Sequence, residues 1–80
     1  MRRGDAEDAL VQYDALIAAR PAFVDAYLGR SYALLLLGRL DAAERALVEA
    51  AEKGADRTAL GAQRQLLTRR RSSPAIEQNR

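Results

Sequence analysis

The sequence predicts an all-α fold, an antiparallel stack of four helices joined by short turns. Three observations predict it. Seventeen Ala and twelve Leu stand against two Pro and five Gly in 80 residues, a composition that favours helix over strand. Apolar residues recur at spacings of three and four, and no segment alternates for the length of a strand. The breakers Pro21, Gly38 and Gly54 fall between the periodic stretches.

The first helix is expected over 5–19. Ala6, Ala9, Leu10, Tyr13, Leu16 and Ile17 make one apolar face. Asp5 is placed to cap it, with Asp8 three residues on. Arg20-Pro21 ends it, because the residue before proline is pushed out of the helical region. Pro21 can open the second helix, about Ala22 to Leu37. That helix is apolar almost all round and must be covered on several sides, so it is the centre of the domain. Gly38 suits a left-handed stop. A third helix, about Leu40 to Lys53, carries Leu40, Ala43, Leu47, Ala50 and Ala51 on one stripe and stops at Gly54. Asp56 caps a fourth, about Arg57 to Arg70, with Gly61 inside it at a cost of up to about 1 kcal/mol against Ala. Residues 1–71 then form one helical domain, and 72–80 a flexible polar and basic tail. Connections of two or three residues set neighbouring helices antiparallel.

Composition excludes several functions. There is no Cys and no His, so no disulfide framework, zinc knuckle, thiolate or imidazole mechanism is available, and no metal or cofactor is implied. Ser31, Ser72 and Ser73 have no histidine to activate them, so no catalytic residue is assigned and the chain is not expected to be an enzyme. The carboxylates of Asp5, Glu7 and Asp8, and of Asp41 and Glu44, sit in first turns, where the helix dipole favours them. The longest apolar run, Ala33 to Leu37, is far short of the roughly 20 residues of a membrane span. Acidic residues follow Met1-Arg2-Arg3 where a signal peptide would be apolar, and a cytoplasmic protein is expected.

The chain also repeats itself. An offset of 34 residues puts Gly4 on Gly38, Ala9 on Ala43, Tyr13 on Leu47 and Leu16 on Ala50. Period and marked positions together resemble the tetratricopeptide repeat. In one unit beginning at Val24, Tyr27 matches the family's first aromatic and Ser31 the small residue. Leu34 matches the bulky position, Gly38 the turn glycine, Ala43 the close crossing, and Leu47 and Ala50 the second helix. Gly4, Ala9, Tyr13, Leu16 and Pro21 supply a preceding half-unit in register. Arg30 departs from the family's leucine and Ala55 from its proline. The fourth helix resembles the first helix of a further unit, or a capping helix, if Ala26 is set on Ala59. A generic alanine-rich bundle is the competing reading of the same periodicity.

The resemblance implies a TPR-like α-solenoid fragment that binds a protein or peptide as adaptor, scaffold or chaperone. The second helix would line the groove with Asp25, Leu28, Gly29, Tyr32, Leu35 and Leu36, and Arg64 or Gln65 would stand at its rim. The basic and amide residues with which some members clamp a terminal carboxylate are absent from these positions, so recognition would be apolar. The competing reading makes all of these apolar residues core. The first-helix face of Ala6, Leu10, Tyr13 and Ile17 lacks one covering, which points to a homodimer through 5–19 or to a longer parent chain. Arg69, Arg70 and Arg71 are candidate anion contacts. Without interleaved aromatics they are a weak nucleic-acid signal, and cations at a helix C-terminus also complement its dipole.

Overall fold

A computed structural model describes the backbone of residues 3–78 and the side chains of residues 4–72. It contains α1 (Arg3–Ala19), α2 (Val24–Leu36), α3 (Leu40–Glu52) and α4 (Arg57–Gln78). Each helix packs on the next, and α4 also reaches back to α2. The core joins Tyr27, Leu34 and Leu35 of α2 to Ala43, Leu47 and Ala50 of α3 and to Leu60 and Leu67 of α4.

The two glycine turns are built alike. Gly38 and Gly54 have φ of +77° and +92°, the left-handed region where a Cβ is strained. After α2, Gly38 N–H donates to the Leu35 carbonyl and Arg39 N–H to Leu34, both at 3.0 Å. After α3, Gly54 N–H donates to Ala51 and Ala55 N–H to Ala50, again at 3.0 Å. This double closure satisfies carbonyls that the helix end leaves open. Ala55 is itself buried, so the second turn also adds to the core.

Helix ends differ from the expectation in three places. Asp5 is not a cap: α1 is already helical from Arg3, and Asp5 lies in its first turn. Pro21 does not open α2. It lies in the turn, where its carbonyl accepts a 2.6 Å bond from the Tyr27 hydroxyl, and α2 begins at Val24. The backbone of α4 stays helical beyond Arg70 to Gln78, through most of the stretch read as a tail. Side chains 73–80, and residues 79 and 80 altogether, lie outside the described residues. Asp56 does cap α4, accepting the Ala59 N–H at 3.0 Å.

The register of α4 also differs. Ala26 and Ala33 of α2 are buried, and the buried residues of α4 among those described are Leu60 and Leu67, each 34 positions later. Tyr32 and Leu66, again 34 apart, are 40% and 36% exposed. Ala26 therefore corresponds to Leu60, not Ala59, and the repeat continues without a shift. Arg57 starts α4 one residue early against this register, which is why end-matching gives 33.

One departure from the family pattern, and the glycine before it, have physical roles. Arg30 reaches both neighbours of α2: Nε lies 2.8 Å from the Asp14 carboxylate in α1, and Nη1 3.3 Å from that of Glu49 in α3. Gly29 is the close-approach point of α1, since a Cβ there would overlap the Tyr13 ring.

Candidate functional site

The candidate site lies between α2 and α4. Its position follows from the periodicity of α2. Tyr27 and Leu34 face α3, and Gly29 faces α1. Ser31 faces α4 and is fully buried. Its hydroxyl lies 2.5 Å from Gln63 Oε1 and 2.8 Å from the Leu28 carbonyl, which also accepts the Gln63 amide at 3.1 Å. This polar triangle sets α4 on α2. A buried hydroxyl left without a partner would cost about 1–3 kcal/mol.

The direction left over on α2 is taken by Tyr32 and Leu36, four residues apart on one face. Together with Leu35, Leu66, Arg69 and Arg70 they line an open cleft of about 270 Å³. Leu35 is buried and forms the floor. Arg70 crosses the helix pair, its Nη1 donating to the Leu35 carbonyl at 3.1 Å. The cleft thus has an apolar wall from each helix and guanidinium groups along the α4 edge.

Of the expected groove residues, Tyr32, Leu35 and Leu36 come together here. The others do not line this cleft. Asp25 is exposed in the first turn of α2. Leu28 is half-buried and contributes its carbonyl to the triangle. Gly29 is turned to α1. Arg64 lies on the α3 side of α4, in a second groove, and Gln65 is exposed. The rim residues of this cleft come from further along α4, at Leu66, Arg69 and Arg70. With the 34-residue offset, Tyr32 points to Leu66 and Leu36 to Arg70, both of which line the cleft.

The three arginines expected to meet an anion are divided. Arg71 bonds within the fold, at 2.9 Å to Asp41 and 3.1 Å to Glu44 in α3. The Arg71 hydrogen bond, and then its charge, hold the Asp41 carboxyl below the usual carboxylate value, and the same bond raises the Arg71 pKa. Arg69 and Arg70 border the cleft.

A family profile described as tetratricopeptide repeat matches residues 1–66, from before α1 into α4. The chain belongs to the tetratricopeptide repeat family. No curated protein and no solved structure gives a significant match. In repeat terms α1 and α3 are second helices of their units, while α2 and α4 are first helices. The cleft between α2 and α4 is thus a surface between successive first helices. Such repeats serve in general as protein-interaction modules. Among the described residues no helix is long and apolar enough to cross a membrane.

Proposed function

We propose that this tetratricopeptide repeat chain is a non-catalytic module that binds a protein segment in the α2–α4 cleft, as an adaptor, scaffold or chaperone component. The observation that carries this reading is the open apolar cleft itself. Tyr32 and Leu66 stand exposed across from one another over a buried Leu35, and among the described residues no helix lies above them. Contiguous apolar surface of this kind marks an interaction site. A cleft of about 270 Å³ takes one large apolar side chain at a time. Arg69 and Arg70 at the edge favour a carboxylate flanking that anchor.

The test is selection from a displayed random-peptide library, followed by affinity measurement of the enriched sequences. The expected ligands carry an aromatic or aliphatic anchor beside an acidic residue. Tyr32→Ala and Leu66→Asp should each weaken them at least about tenfold, roughly 1.4 kcal/mol, with the helical circular dichroism kept. Failure to enrich any sequence, or enriched peptides that bind both variants normally, would defeat the proposal.

A further inference from the structure

The two ends of the stack are open in complementary ways. In α3, Ala43, Ala46 and Ala50 are 1%, 3% and 0% exposed, in a core shared with α2. Their equivalents in α1, 34 residues earlier, are Ala9, Gln12 and Leu16. Ala9 is half-buried, Gln12 exposed and Leu16 38% exposed. Among the described residues no helix does for this flank of α1 what α2 does for α3.

At the other end the reverse holds. Tyr27 and Leu34 of α2 are buried in the core shared with α3, whereas of their equivalents in α4 Gly61 is half-buried with open space beside it and Thr68 is exposed. A groove of about 220 Å³ runs beside Thr68 between α3 and α4, walled by Leu47, Val48 and Leu67 and edged by Arg64 and by Glu44, which is paired with Arg71. It faces away from the binding cleft, since Thr68 lies two residues, and so about 200°, from Leu66.

We infer that the occupant of this end is α1 of a second copy of the chain. In repeat register α1 is a second helix and α4 a first helix, and the flanks left exposed, Gln12 and Leu16 on one and Thr68 on the other, are those on which such helices meet. Seating the α1 of one copy beside the α4 of another completes a unit across two chains. Charge favours the same pairing. In α1, Asp5 and Asp8 stand outside the ion pairs that engage Glu7 and Asp14, and in α4, Arg57 and Arg64 stand outside the bridge that engages Arg71 and the cleft that Arg69 and Arg70 border. Face-to-face pairing of two α1 helices would set like charge on like. Head-to-tail pairing sets acid on base. The interface is heterologous, so it propagates: each added copy leaves one end of each kind free. It would also place the α2 of the next copy beside α4 and lengthen the binding cleft.

Sedimentation of the full 80-residue chain over a concentration series, at low and at physiological salt, tests this. The weight-average mass should climb from the 8.8 kDa of one chain to twice that and beyond, and fall back as salt rises. Leu16→Arg blocks the α1 end and Arg64→Glu the α4 end. Each should weaken association at least about tenfold with helical content unchanged. If Leu16→Arg loses helix, Gln12→Arg on the same flank replaces it. Mixed together, the two blocked variants retain one good end each and should form a pair that stops at two chains. A single chain at every concentration in low salt overturns the inference. So does association that Leu16→Arg abolishes and Arg64→Glu leaves intact, which would mean pairing through α1 alone.

Discussion

Helices α2 and α4 are the same kind of helix at two places in one stack, and they differ in composition because they differ in neighbours. Helix α2 has α1, α3 and α4 around it, and all its residues but Asp25 and the cleft residue Tyr32 are buried or half-buried. Helix α4 has α2 and α3 on one side only, and keeps two buried apolar residues among those described. At matched positions Tyr27 faces Gly61, Leu34 faces Thr68 and Leu37 faces Arg71 in the alignment. A helix carries apolar residues where something covers it, and an end helix needs a polar outer face.

The largest expected contrast lies at the matched pair Leu34 and Thr68. Leu34→Ala should cost about 2–5 kcal/mol, because it empties a packed site between α2 and α3. Thr68→Ala should change stability by no more than about 0.5 kcal/mol. Urea denaturation followed by circular dichroism reads both.

A smaller contrast lies at the buried polar contact between the two helices. Ser31→Ala should lose about 1–3 kcal/mol, because Gln63 keeps an amide oxygen with no donor. Ser31→Ala with Gln63→Leu should recover part of that loss. A double variant as unstable as the sum of the singles would show that the triangle does not couple the helices.

The two helical glycines sharpen the comparison with opposite signs. Gly29→Ala should destabilise, since its methyl would overlap the Tyr13 ring. Gly61→Ala meets nothing within 4 Å and should stabilise by about 0.4–1 kcal/mol. Melting temperatures moving in the same direction would break the account of how the two helices are covered.

The smallest effect is the pH response of the Arg71 bridge. Asp41 has a folded-state pKa below its ordinary 3.8. Its contribution is therefore present above the unfolded value and lost as pH falls through the folded one. Arg71 keeps its proton throughout the accessible range. Arg71→Gln should flatten the fall in stability below about pH 4 while leaving the neutral-pH profile shape unchanged. A fall of unchanged steepness would mean the bridge adds nothing.

Much of this architecture was legible in the residues. Gly38 and Gly54 located both left-handed turns, because few other residues tolerate that backbone. The apolar excess of the second helix identified the centre of the stack. Helix ends are less legible. Pro21 lies outside α2 because a hydroxyl six residues later holds its carbonyl, a tertiary contact with no local signal. The groove was half legible. Tyr32, Leu35 and Leu36 follow from the periodicity of α2 alone, but their partners depend on the register of α4. One residue of slip turns a helix face by 100° and exchanges Leu66 and Arg70 for Gln65 and Arg69. The ties of Arg70 to Leu35 and of Arg71 to Asp41 and Glu44 were invisible in a run of three like residues.

The claim on which the functional reading depends is that Tyr32 belongs to an open surface while Leu34, two residues away, belongs to the core. Urea denaturation of Tyr32→Ala beside Leu34→Ala tests it directly. The account predicts a loss under about 1 kcal/mol for Tyr32→Ala and about 2–5 kcal/mol for Leu34→Ala. Equal losses would place Tyr32 in the core and leave no cleft for a partner.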